Sequence, residues 1–359
     1  MSLTPQVSTE GTLPPPARTG SVILGRQDYL SVLLRLIGME LYKLRRRTMS
    51  KVLGILAFAI ALIVFLLVSL GTFFVLNTPP ETFRASCQGQ GSQPTNCSQL
   101  SAAQLAQNKQ DLLQTVSEPL RLPDSLNLIV QVALPLGAIL IVILVGSMAG
   151  GEFSLGTVRL MFTRGPTRTQ FLLAKVGATL VCTVIGVLLM SITGILAGQL
   201  LNLASGIGQN FNFFSAGWSG HMVLYVLAAM LNWFIYAIIA IFFGTLGRST
   251  VAGMMGALMW FLIEAILGGL LNLAGIFSRG PFGDFLKAIP DYFIGNNIGA
   301  LMQNQEQYIF GASSFSLFNI FGASSSTISN MHALIVLAVY LAAFIGLAWW
   351  INERRDVTN

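Results

Sequence analysis

Six stretches of the chain run for about twenty residues or more with almost no charge. They are Val52–Leu76, Leu126–Gly150, Phe171–Gln199, His221–Leu246, Val251–Leu273 and His332–Ile351. A hydrocarbon core roughly 30 Å thick is crossed by a helix of about 20 apolar residues. Inside it, backbone N–H and C=O groups find no water and must pair within their own segment, so these runs are helices. They are too long and too uniformly apolar for outer-membrane strands, which are about ten residues of alternating polarity. The expected fold is an all-α integral membrane protein with six transmembrane helices. Composition agrees: charged residues are 9% of the chain and apolar ones 54%, where a soluble domain carries roughly 25% charge. So few charges cannot cover a water-soluble globule of 359 residues. This excludes a soluble enzyme, a disordered tail protein and an ordinary nucleic-acid binder, despite a net charge of +6.

The position of the charges gives the expected orientation. With the N-terminus inside, the inner flanks hold Lys43, Arg45, Arg46, Arg47 and Lys51, then Arg159, Arg164, Arg168 and Lys175, then Arg248, and finally Arg354 and Arg355. The other side keeps Arg84, Lys109, Arg121, Arg279 and Lys287. Short flanks rich in Lys and Arg stay on the cytosolic side, so both termini are expected there. Residues 1–27 are polar, include Pro14-Pro15-Pro16 and have no signal-peptide h-region; they read as a disordered cytosolic tail. Residues 28–51 form a connecting segment and residues 52–351 the six-helix domain. Within that domain, outer loops fall at 77–125 and 274–331 and a cytosolic loop at 151–170. Residues 352–359 are a cytosolic tail.

Two segments are neither loop nor span. From Asp28 to Arg47, Leu30, Leu33, Leu34, Ile37, Leu41 and Leu44 recur at helical spacing, and Arg45-Arg46-Arg47 closes the run. An amphipathic helix with basic residues at its end lies in the membrane interface, its arginines meeting anionic headgroups; the alternative is an extension of the first span into water. In the second outer loop, Phe282, Phe285, Leu286, Ile289, Tyr292 and Phe293 make a helical stripe broken by Pro290. That pattern predicts short re-entrant helices that dip into the outer leaflet between the fifth and sixth spans. The direct repeat of Ile309–Ser314 and Ile320–Ser325 reads as low-complexity loop. In the first outer loop, Ser98 to Leu120 predicts an amphipathic helix. Cys87 and Cys97, with nine flexible residues between them, fit a disulfide on the oxidising side, against the alternative of two free thiols.

Chemical motifs are missing. The chain has no GxxxxGK[ST], GxSxG, HExxH or CxxC pattern, so nucleotide binding through a P-loop and the common hydrolase chemistries are not expected. His221 and His332 sit at outer helix ends and read as interfacial residues, so no metal site is expected. Glu264 is the one carboxylate well inside a span. A charge there is costly and marks a functional candidate, a cation contact or proton site in the substrate path; a hydrogen-bonded helix contact is the other reading. Gly146-x-x-x-Gly150 and Gly194-x-x-x-Gly198 permit close helix approach.

The most informative stretch is the cytosolic loop. Ser154 to Phe162 can form a short helix with Leu155, Val158 and Phe162 on one face and Arg159 beside them, ended by Gly165-Pro166. From the residues alone, a docking knob and an ordinary basic loop stay equally open. The stretch resembles the intracellular loop of ABC type-2 transporter permeases. The matching residues are Gly151-Glu152, Gly156-Thr157, Arg159, Arg164, Arg168 and Lys175. Met39-Glu40-Leu41-Tyr42-Lys43-Leu44-Arg45 resembles the family's segment before the first span. The long first outer loop exceeds the family's minimal plan.

The resemblance implies the membrane subunit of an exporter in a bacterial inner membrane. Such a chain pairs with a second permease, identical or related, and with two cytosolic ABC ATPase subunits. ATP and Mg are then bound by the partner, and this chain carries no cofactor and is not itself an enzyme. Glu152, Leu155, Val158, Arg159, Phe162, Arg164 and Arg168 become the candidates for ATPase docking and relay. The expected cargo is amphipathic or hydrophobic, a drug, peptide antibiotic or lipid-like molecule. A proton-coupled secondary transporter using Glu264 and a non-transporting membrane scaffold are the competing readings.

Overall fold

The computed structural model describes residues 29–82, 101–154, 167–209, 215–278, 280–310 and 328–354. Among the described residues there are helices and turns and no strand. In chain order the helices are α1 (Tyr29–Arg46), α2 (Thr48–Asn77), α3 (Ala102–Ser117) and α4 (Asp124–Ser154). They continue with α5 (Arg168–Ser205), α6 (Ala216–Gly247), α7 (Thr250–Phe277), α8 (Pro281–Ala288), α9 (Ile294–Ile309) and α10 (Asn330–Arg354). Short 3-10 turns extend α3 (Glu118–Leu120) and α8 (Ile289–Tyr292). Six of these helices, α2, α4, α5, α6, α7 and α10, are long and apolar enough to cross a membrane. The protein is a multi-pass membrane protein by that criterion, and each predicted run lies inside one of the six.

The spans outrun the apolar stretches because polar caps add turns at their ends. Thr167 caps α5: its hydroxyl accepts from the Gln170 N–H at 3.2 Å, and the Gln170 side chain accepts from the Thr167 N–H at 3.0 Å. This reciprocal box satisfies two orphan donors. Ser249 caps α7 with a single bond, accepting from the Ala252 N–H at 3.0 Å. The connection before it is very short, and Arg248 turns the chain with a left-handed φ of 49°.

Contacts between helix ends show that consecutive spans alternate in direction. The guanidinium of Arg47 donates to the Ser147 carbonyl at 3.2 Å, Arg168 reaches the Glu353 carbonyl at 3.0 Å, and Gly150 lies against Ser249. These contacts gather α1, the start of α2, the end of α4, the start of α5, the α6–α7 turn and the end of α10 at one basic end. At the opposite end Thr72 reaches the Val116 carbonyl, the Gln209 side chain reaches Leu122, and Asn304 reaches Asn330.

Helices α4 and α6 form the centre. Of their most apolar stretches 61% is buried, against 11% for α2. The faces that α2 and α7 turn outward carry Leu66, Leu67, Phe73, Leu262, Ile266 and Leu270, apolar surface suited to lipid. Close approach depends on the two glycine pairs. A Cβ on Gly146 would fall 2.7 Å from the Met254 backbone nitrogen, and one on Gly150 would strike the Ser249 carbonyl. On the other flank, Gly194 and Gly198 of α5 meet Ile129 and Ser125 of α4.

Helix α1 departs from the predicted stripe. The row it buries is Leu36, Glu40 and Leu44, spaced four apart, and Ile37 reaches Gly177 of α5. Leu30 and Leu34, which the periodicity placed on the same apolar face, are exposed. A charged residue at the middle of the buried row is what hydrophobic periodicity alone overlooks.

Candidate functional site

The buried Glu40 points to the first site. Lys43, one turn on, donates to Glu40 at 2.9 Å and to Glu152 at 2.7 Å. The second oxygen of Glu152 pairs with Lys175 at 2.8 Å. Lys175 is fully buried, also donates to the Met148 carbonyl at 3.2 Å, and lies 4.7 Å from the centre of the Phe171 ring. Two carboxylates and two ammonium groups thus make a neutral quartet shared by α1, α4 and α5. Neutrality matters, because an unmatched charge buried at this depth costs several kcal/mol, roughly. Burial pulls the Lys43 ammonium down, but the hydrogen bonds and charges of Glu152 and Glu40 outweigh it and raise its pKa above the ordinary lysine value.

This quartet sits where α4 leaves the bundle and α5 re-enters it, on either side of residues 155–166. Of the residues predicted for docking and relay, Glu152 and Arg168 are described. Glu152 is buried within the quartet. Arg168 holds the C-terminal carbonyls of α10 at Asn352 and Glu353, while Asn352 donates back to the Arg168 carbonyl at 3.0 Å. A cation there complements the negative end of the α10 dipole. Leu155, Val158, Arg159, Phe162 and Arg164 lie outside the described residues, as do Cys87 and Cys97 and most of the direct repeat.

Glu264 takes the role of a cap supplied from a neighbouring helix. Its Oε1 accepts from the Gly295 N–H at 2.7 Å, in the first turn of α9, and its Oε2 is 3.5 Å from the Tyr236 hydroxyl. The residue at the N-cap position of α9, Phe293, has no side chain able to accept. A carboxylate at that helix start satisfies a free donor and meets the positive end of the dipole.

A further polar cluster was not foreseen. Asn127 and Gln131 of α4, Tyr225 of α6 and Glu306 of α9 meet in the interior, each at most 5% exposed. Gln131 Nε2 donates to Asn127 Oδ1 at 3.0 Å and to Glu306 Oε1 at 3.1 Å. The Tyr225 hydroxyl donates to Asn127 Oδ1 at 2.8 Å and also touches Glu306. Next to it His221 bonds Gln305 at 2.7 Å and stacks on Tyr308. The sequence held one signal for this cluster: two carboxamides one turn apart within an apolar run. Glu306 itself was hidden, because its surroundings read as outer loop. Among the described residues no group of three or more His, Cys, Asp or Glu side chains is placed to hold a metal.

Residues 122–358 match a family model described as a protein of unknown function, DUF2705. The chain belongs to this family. The DUF2705 match begins just before α4 and covers five of the six spans, α9 and the second half of the quartet; α1 and α2 precede it. No curated protein and no solved structure matches the chain.

Proposed function

We propose that the chain is the membrane subunit of an ATP-driven exporter of the ABC type-2 permease kind. In this reading it crosses a bacterial inner membrane with both termini and the basic helix ends in the cytosol. It pairs with a second permease and takes its power from separate ATPase subunits that bind ATP and Mg. The observation that carries the reading is the Lys43–Glu152–Lys175 junction. A loop that receives force from a docked ATPase has to hand it to rigid elements. Residues 155–166 are flanked by α4 and α5, and the quartet locks those two helices to each other and to the peripheral helix α1. A push on the loop then moves three helices as a unit.

Within this reading Glu152 and Arg168 act as relay residues that grip other helices. Leu155, Val158, Arg159, Phe162 and Arg164 make the contact surface for the ATPase. The cargo is amphipathic or hydrophobic, a drug, peptide antibiotic or lipid-like molecule. The engagement of Glu264 by the α9 backbone supports a structural role for it and weakens the proton-coupled alternative built on that residue.

The test is co-purification. Membranes from the native host are solubilised and the tagged chain is captured, and a P-loop ATPase is expected in the eluate. Arg159→Glu and Phe162→Asp should each lose the ATPase while the permease stays monodisperse. Transport that continues with no ATPase present, or ATPase capture and transport unchanged in both variants, refutes the assignment.

A further inference from the structure

Helices α4, α5 and α6 leave a gap between them that neither polar cluster uses. It is a partly open recess of about 210 Å³, with Val130 and Leu134 of α4, Val187, Met190 and Ser191 of α5 and Trp233 of α6 on its wall. Val130 and Leu134 lie six and ten residues after Asp124, where α4 starts. At the rise of a helix that places the recess about 9–15 Å below the end of the bundle opposite the basic one. No Lys, Arg, His, Asp or Glu lines it.

The wall is fixed in advance. A Cβ on Gly137 would strike the Trp233 ring and one on Gly186 would lie 2.7 Å from it, so the indole fills a slot that two glycines leave. Its N–H donates to the Ala133 carbonyl at 3.1 Å. A ring held at its edge and its face does not swing to close the gap. Ser191 is the one hydroxyl on the wall. It is 6% exposed, and its Oγ has no hydrogen-bond partner among the described residues. Thr183, Thr193 and Ser205 of the same helix each bond back to a carbonyl of the preceding turn at 2.8 Å. Ser191 makes no such bond. Buried hydroxyls are nearly always paired, so this one is placed to take a partner from outside the chain.

We propose that the recess binds one end of a neutral, membrane-soluble amphiphile, whose apolar chain lies against Val130, Leu134, Val187 and Met190 and whose hydroxyl or carbonyl bonds the Ser191 hydroxyl. The space suits part of such a molecule and is smaller than the pocket of a whole drug-sized ligand. The polar group has to be uncharged, because nothing ionised lines the recess and an unpaired charge at this depth is strongly disfavoured. A phospholipid whose headgroup stays at the interface presents only chain here and leaves Ser191 unsatisfied, whereas a long-chain alcohol can sink that far. A role for the site in carrying lipid-like cargo rests on the exporter reading; the binding itself does not.

Photolabelling of the full chain in nanodiscs of zwitterionic phospholipid tests this. The probe is a long-chain alcohol with a diazirine in its chain, and its adducts are mapped by peptide mass spectrometry. Val130, Leu134 and Val187 are each 3% exposed, so bulk lipid does not reach them, whereas Leu188 and Leu189 face outward. Saturable labelling is expected at the three buried residues. Ser191→Ala leaves the recess open and removes only the hydroxyl. It should weaken that labelling about five-fold, near the worth of one neutral hydrogen bond, and leave Leu188 and Leu189 labelled as before. Val187→Phe fills the recess and should abolish labelling at Val130 and Leu134. A phospholipid carrying the same diazirine chain should label the outward residues alone. No labelling at the buried residues, labelling that Ser191→Ala does not change or that persists in Val187→Phe, or equal labelling by the phospholipid overturns the proposal. No ATPase takes part, so these outcomes are distinct from a failure of the co-purification.

Discussion

Glu152 Oε2 lies 2.8 Å from Lys175 Nζ, joining the last turns of α4 to a point two turns into α5. Lys175 is fully buried and Glu152 nearly so. Breaking such a pair by removing one partner costs roughly 3–5 kcal/mol, because the survivor is left as an uncompensated buried charge. Glu152→Gln should therefore lower the thermal unfolding midpoint of the purified protein markedly. Replacing both members, as Glu152→Gln with Lys175→Met, should recover much of that loss, because no buried charge is then stranded. A double variant no more stable than the single one would mean that the pair is not energetically coupled.

Gly150 and Gly269 make a matched contrast. A Cβ at Gly150 would strike the backbone carbonyl of Ser249, which has little freedom in a tight turn, whereas one at Gly269 meets nothing within 4 Å. Overpacking of a well-packed contact costs about 1–3 kcal/mol. Gly150→Ala should destabilise by an amount in that range, and Gly269→Ala should be neutral within about 0.5 kcal/mol. Thermal denaturation of both variants in the same detergent checks the difference, and equal effects would show that the helices separate to accommodate a methyl group.

Glu264 as an adopted cap predicts an unusual tolerance. Glu264→Gln keeps a carbonyl oxygen for the Gly295 N–H, so it should cost no more than about 1 kcal/mol, near the net worth of one hydrogen bond. Glu264→Leu strands that N–H and should cost about 1–3 kcal/mol. In the proposed exporter reading, export should survive Glu264→Gln. Abolished export with an unchanged unfolding midpoint would return Glu264 to the substrate path.

Much of the fold was legible because lipid leaves so few options: an uncharged run of this length has only the helix available. The ends of the spans were less legible. Caps such as Thr167 with Gln170 are local signals, but they lie outside the apolar run that announces the helix. The glycine pairs were visible, while their partners, Ser249 and Met254 for one and Ile129 and Ser125 for the other, are tertiary facts. The quartet was half visible. Glu152 and Lys175 stood out in the loop pattern, but Glu40 interrupts the leucine row that α1 buries and Lys43 follows it, and hydropathy alone reads both as facing water. Glu306 was hidden for the opposite reason. It lies in a segment whose composition reads as loop, and its burial comes from α9 folding back onto α4 and α6.

Stability should carry the signature of Glu306. Burial pushes its carboxyl up from an ordinary 4.5 to about 7, against smaller opposing effects of Gln131 and Tyr225. For a carboxyl whose folded pKa is raised, the folded state binds more protons than the unfolded state between the two values. Stability therefore falls as pH rises through that window. The contribution is fully present below the unfolded pKa and is lost once the pH has passed the folded one. Between about pH 4.5 and about pH 7, the wild-type unfolding midpoint should drop relative to that of Glu306→Gln, which has no proton to lose. The difference between the two curves isolates this group from other carboxyls that titrate in both proteins. Parallel curves across that window would show that Glu306 is ionised throughout and that another group supplies its counter-charge.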